Sequence, residues 1–172
     1  MVKYEIDQMD GFSNKIGELI FMLEHTRIIT KKEVSSLTID ELDKVDEEDG
    51  NSIGALLMHI AAIEKAHQLI SFENRDFNTE EWKQWGTAIN LGENARKEIN
   101  NHPVTYYLNL LNEVRQNTLI NLKEKSDGWL YKKSVWPNGV SYNQYYLWFH
   151  VMEDEINHRG QIRSQIRKIK NS

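Results

Sequence analysis

Residues 148–168 read WFHVMEDEINHRGQIRSQIRK, and one row of side chains four apart runs through them: His150, Asp154, His158, Ile162 and Ile166. Steps of four stay on one face of an α-helix. The stretch therefore predicts a helix whose lower, apolar half faces a core. The upper half is titratable. A carboxylate taken out of water without a partner costs several kcal/mol, so two imidazoles and a carboxylate on an inward stripe need something to satisfy them. A divalent cation is the simplest candidate, because it accepts imidazole nitrogen and carboxylate oxygen together.

The rest of the chain carries the same helical period. A first helix is expected over Phe12–Glu33, with Ile16, Leu19, Ile20, Leu23 and Ile28 as its apolar positions. Thr38 and Glu41 have the spacing of a capping box that opens a short element. The acidic run from Asp46 to Gly50 reads as a solvated loop. A second long helix starts near Asn51 or Ser52, both good N-caps, and buries Ile53, Leu56, Leu57, Ile60 and Ile63. Residues Asn78–Asn101 are polar and predict two short helices, with Trp82 and Trp85 on the first. Pro103 is expected at the first position of a third long helix, whose stripe includes Leu108, Leu111, Thr118, Leu119 and Leu122. Ser126–Ser141 reads as a loop around Trp136-Pro137-Asn138-Gly139, a strong turn signal, and the fourth helix is expected over Tyr142–Lys168. No stretch shows useful strand-like alternation. Four long amphipathic helices with short extra ones in the connections predict an all-α four-helix bundle, one domain over residues 1–172.

Composition narrows the function classes. The chain has 172 residues and no cysteine, which excludes disulfides, thiolate nucleophiles and cysteine-type zinc sites. Its formal net charge of -5 argues against a nucleic-acid partner. The basic cluster Arg159, Arg163, Arg167, Lys168 and Lys170 reads as a solvated face that complements the negative end of the last helix. No apolar run is long enough for a membrane span, and Met1–Asp10 is too polar for a signal peptide, so the expected location is the cytoplasm.

Asp154 and His158 are close enough on one helix to share an ion, and His59 points into the apolar face of the second helix, so it is the natural third ligand. Two imidazoles and a carboxylate leave positions for water or substrate, as in catalytic metal sites. Spacing leaves a second reading open: a buried Asp–His hydrogen bond, with His59 satisfied separately in the core.

Three segments resemble a known family. LTIDELDKVDEEDGNSIGALLMHIAAIEKAH (37–67), WPNGVSY (136–142) and WFHVMEDEINHRGQIRSQIRK (148–168) are similar to the DinB-like (DinB/YfiT) superfamily of metal-dependent four-helix bundles. The resemblance places ligand histidines at His59 and His158. Many members have a third histidine where this chain has Asp154, so it implies a His59–Asp154–His158 site holding zinc, nickel, iron or manganese. The carboxylate lowers the site's charge by one and shifts preference toward harder ions.

Around this set, His150 reads as a partner behind the ligands, as a proton shuttle, or simply as a partly exposed histidine near the bundle mouth. Glu64 and Glu155 are candidates to orient His59 or His158 through the second ring nitrogen; the spacing equally allows each to face solvent. Arg159 and Gln161 read as packing or hydrogen-bonding residues, and His25, His67 and His102 have no evident partner. Trp136, Tyr142, Tyr145, Tyr146, Trp148 and Phe149 read as core or as walls of a substrate pocket. By resemblance the chain is expected to be a metal-dependent thiol S-transferase acting on a small-molecule electrophile in detoxification or stress response. With no cysteine of its own, it would take an external low-molecular-weight thiol. Metal-assisted hydrolysis is the nearest variant. The alternative is a non-catalytic metal-binding stress-response bundle, with His150 closing the site as a fourth ligand. A homodimer is expected: the resemblance implies pairing through helix faces, and the abundant tryptophan leaves apolar area to cover.

Overall fold

The described residues fold as four long helices, with short helices in the connections and one small hairpin. The computed structural model describes residues 3–45 and 50–171; most of the acidic run expected as a loop, 46–49, lies outside them. The long helices are α1 (Asn14–Val34), α3 (Ile53–Gln68), α6 (Val104–Lys123) and α8 (Gln144–Lys170). The short ones are α2 (Ile39–Asp43), α4 (Thr79–Asn90), α5 (Gly92–Glu98) and α7 (Asp127–Leu130), and a π turn, Leu69–Glu73, extends α3. The bundle is the expected all-α architecture. Among the described residues no helix is long and apolar enough to cross a membrane.

Local chemistry sets the helix starts. The Ser52 hydroxyl accepts the Ala55 N–H at 3.1 Å and opens α3. The Asn143 side chain accepts the Tyr146 N–H at 2.8 Å and opens α8. Thr38 and Glu41 form the expected capping box. The start of α1 is capped from far away: Ser13 makes no side-chain cap, and the Asp127 carboxylate accepts the N–H groups of Lys15 and Ile16 at 3.0 and 3.2 Å. Pro103 precedes the first turn of α6 instead of entering it, where its missing N–H is equally harmless.

The long helices pack in a ring in which α1 and α3 each touch both α6 and α8. Cross-helix partners fix their directions. Glu64 meets Arg115 and Gln68 meets Thr118, so α3 and α6 run parallel. Arg27 meets Glu155 and Glu33 meets Arg163, so α1 and α8 also run parallel. His59 meets His158 and His67 meets His150, so α3 and α8 are antiparallel. Two adjacent parallel helices need a return crossing, and the segment bearing α4 and α5 supplies it.

The region Ser126–Ser141, expected to be a loop, contains α7 and a two-stranded hairpin. Strand β1 (Lys133–Val135) pairs antiparallel with β2 (Ser141–Asn143), with Ser134 opposite Tyr142. Strands of three residues are too short to show period-two alternation. Gly139 takes a positive φ of 84° in the turn, and Trp136 stacks on Tyr142 with ring centroids 4.0 Å apart.

Two apolar clusters fill the bundle. One gathers around Ile53, Leu56, Leu57, Ile60, Leu111 and Ile162, the other around Ile16, Leu19, Ile20, Leu23, Leu122 and Trp148. On α1, α6 and α8 a charged residue falls between members of the two clusters: Arg27, Arg115 and Glu155. These three and Glu64 of α3 are buried. Glu64 accepts from Arg27 Nη2 at 2.8 Å, Arg115 Nε at 2.7 Å, Arg115 Nη2 at 3.0 Å and Thr118 Oγ1 at 2.6 Å. Arg27 Nε donates to both Glu155 oxygens at 3.1 and 3.2 Å, and its Nη1 donates to the Leu111 carbonyl at 2.8 Å. Arg115 Nη1 reaches Glu24 at 2.8 Å. Burial alone would raise the Glu64 carboxyl, but Arg115 and Arg27 hold it at about 2.

This network corrects two expectations. Ile28 is 44% exposed, and Arg27 turns inward in its place. Glu64 and Glu155 orient neither His59 nor His158, because both carboxylates are consumed by the arginines.

Candidate metal centre

His59 reaches the centre from α3, and Asp154 and His158 from α8. The two α8 residues share a face because they are four apart, and the antiparallel packing of α3 sets His59 opposite them. One donor atom from each lies within 4.8 Å of the other two. His59 Nε2 stands 3.7 Å and His158 Nε2 3.4 Å from the same Asp154 oxygen, Oδ1. The two imidazoles meet edge to face, centroids 4.6 Å apart.

These separations suit an ion. Ligand atoms about 2.1 Å from a tetrahedral cation stand about 3.4 Å from one another. The His59 ring is held in the required tautomer: Nδ1 donates to the Ala88 carbonyl of α4 at 2.8 Å, which leaves the Nε2 lone pair facing Asp154. Orientation through the second nitrogen is what a ligating histidine needs, and here the crossing segment provides it with a backbone carbonyl. Two polar atoms of the centre itself, Asp154 Oδ2 and His158 Nδ1, are buried without a hydrogen-bond partner among the described residues. An oxygen left without a partner in a carboxylate otherwise held by imidazoles fits a cation-binding group.

Electrostatics agree with a charged carboxylate. Burial would raise the Asp154 carboxyl, yet His158 and His59 hold it well below the usual carboxylate range. Burial would likewise lower the His158 imidazole, and Asp154 more than offsets this, so its pKa is raised. Asp154 and His158 keep 13% and 14% of their side-chain surface exposed, so solvent reaches the centre from the α8 side. The residues present therefore fit a divalent cation, and the chemistry of two imidazoles and one carboxylate suits zinc, iron, nickel or manganese.

The remaining candidates lie around this centre. His150 sits one turn from Asp154 on α8, with Nδ1 3.3 Å from Glu153 Oε2 and its ring 5.4 Å from that of His67. The His67 partner escaped the sequence because it lies on another helix, although His59 and His67 do share the α3 face. Arg159 Nη1 donates to the Thr26 carbonyl at 3.0 Å and ties α8 to α1, the packing role expected of it. Gln161 is exposed. Trp148 is fully buried core, whereas Trp136, Tyr142 and Tyr146 line a cavity of about 520 Å³ at the start of α8.

A family model described as the DinB family matches residues 12–169. A search of curated proteins finds no match. Among solved structures, the chain is similar to a DinB-like protein from Bacillus cereus ATCC 10987, with a TM-score of 0.68 at 13% identity over 89% of this chain and 91% of that one. That likeness speaks for the fold, and the family model spans all four long helices together with His59, Asp154 and His158. The chain belongs to the DinB family.

Proposed function

We propose that the chain is a metal-dependent enzyme that transfers a low-molecular-weight thiol to a small electrophile, with His59, Asp154 and His158 as the metal ligands. The observation that carries the reading is a set of three protein donors on a face that solvent reaches. His150, which would close the site as a fourth ligand, is instead engaged with Glu153 and His67. Three ligands with room for an exogenous one is the pattern of catalytic rather than structural sites.

A divalent cation bound there lowers the pKa of a coordinated thiol or water and so supplies a nucleophile at neutral pH. The residues of the chain do the rest. His59, pinned by the Ala88 carbonyl, fixes the buried wall of the site. Asp154 brings the one negative charge, which with an incoming thiolate balances a divalent ion. The buried network locks α3 and α8 to α1 and α6, so the ligands keep their spacing while substrates exchange. The thiol must come from outside, because the chain has no cysteine.

Elemental analysis of untagged protein, followed by a screen of thiol consumption with small electrophiles, tests the proposal. About one ion at the His59–Asp154–His158 centre, lost in His158→Ala and Asp154→Ala, and thiol consumption that follows the metal are expected. Bound metal without thiol transfer or hydrolysis would point to a non-catalytic bundle. No metal after loading with zinc, nickel, manganese or iron(II) would leave the three residues as a hydrogen-bond network.

A further inference from the structure

The histidines on α3 and α8 come in two pairs. His59 and His67 lie eight residues apart on α3, His150 and His158 lie eight apart on α8, and Asp154 sits midway on α8. Antiparallel packing joins His59 to His158 and His67 to His150. The second pair is not used by the centre described above.

Its two rings are prepared alike. His67 is only 6% exposed, and its Nδ1 donates to the Ile63 carbonyl at 2.7 Å, so Nε2 carries the lone pair. This repeats the arrangement of His59 on Ala88. His150 Nδ1 lies against the Glu153 carboxylate at 3.3 Å, the carboxylate–histidine arrangement that orients a metal-binding imidazole. Two imidazoles bound to one tetrahedral cation place their ring centroids about 5.2 Å apart; the His67 and His150 rings are 5.4 Å apart. Between the pairs, Asp154 Oδ1 lies 3.7 Å from His59 Nε2 and 3.4 Å from His158 Nε2, while its Oδ2 is buried without a partner among the described residues.

We infer that the α3–α8 seam holds a second divalent cation on His67 and His150, bridged to the first through Oδ2 of Asp154. The inference rests on the metal reading given above. The first three donors already lie within 4.8 Å of one another; the second site forms when its ion draws the free Asp154 oxygen toward the His67–His150 pair.

Cobalt(II) serves as the probe. Chelator-stripped, untagged protein is titrated and passed through a desalting column. Bound ions are then counted by elemental analysis and by the visible absorption of the metal. Two ions per chain are expected in the wild type and one in His67→Ala and in His150→Ala. His150 is half-exposed, so its variant is the safer for folding, and circular dichroism checks both. Asp154→Ala should bind none. One ion in the wild type, or two that survive both histidine substitutions, overturns the second site and leaves the first intact. No ion in the wild type overturns both.

Discussion

Glu64→Gln tests the ion network and its hold on the metal centre together. The carboxylate of Glu64 takes four hydrogen bonds, three from arginine nitrogens and one from Thr118. The buried charges balance as they stand: Arg27 and Arg115 against Glu64 and Glu155, with the half-exposed Glu24 on the rim. Glutamine keeps the shape but removes one negative charge and turns one acceptor into a donor aimed at a guanidinium. Breaking a buried pair from one side costs about 3–5 kcal/mol, which in a chain of this size lowers the melting temperature on the order of 10 °C. Urea unfolding followed by circular dichroism measures it. Replacing both Glu64 and Arg115 by apolar residues should cost clearly less than the sum of the single changes, because neither partner is then left charged and alone. Glu155 lies beside Asp154 in the chain but points into the network, so Glu155→Gln should weaken metal binding without touching a ligand. A loss of under about 1 kcal/mol in Glu64→Gln, or additive costs in the double variant, would refute the reasoning.

Four further outcomes follow from the same structure. A Cβ added at Gly54 would come within 2.5 Å of the Tyr107 hydroxyl and 2.8 Å of its ring, so Gly54→Ala should destabilise by about 1–3 kcal/mol. Tyr107→Phe should be neutral or stabilising in the same melts, since that hydroxyl is buried without a partner among the described residues. Ser52→Ala should cost about 1 kcal/mol by uncapping α3 and leave metal stoichiometry unchanged. Acid should unfold the protein through Glu64. Its folded pKa, about 2, is depressed from 4.5, so its contribution is complete above pH 4.5 and lost as the pH falls toward 2; Glu64→Gln should flatten that part of a stability–pH profile.

The share of the molecule legible in the chain is the part governed by local rules. Helical period depends on neighbours three and four residues away, so the four long helices, the Thr38–Glu41 capping box and the cap at Ser52 can be located from spacing and residue type, whereas α8 begins at Gln144, two residues after the expected Tyr142, because Tyr142 and Asn143 are drawn into the hairpin. The same rule sets Asp154 and His158 on one face and aims His59 into the other helix. What escapes local rules is any side chain whose partner is distant. Arg27 looks like a solvent-facing neighbour of Ile28 until Glu155, 128 residues on, and Glu64 stand opposite it. Asp127 caps a helix 112 residues away. Ala88 orients His59 only because parallel α3 and α6 require a crossing segment between them. Burial of a charge is decided by what meets it across the bundle, and only folding brings those groups together.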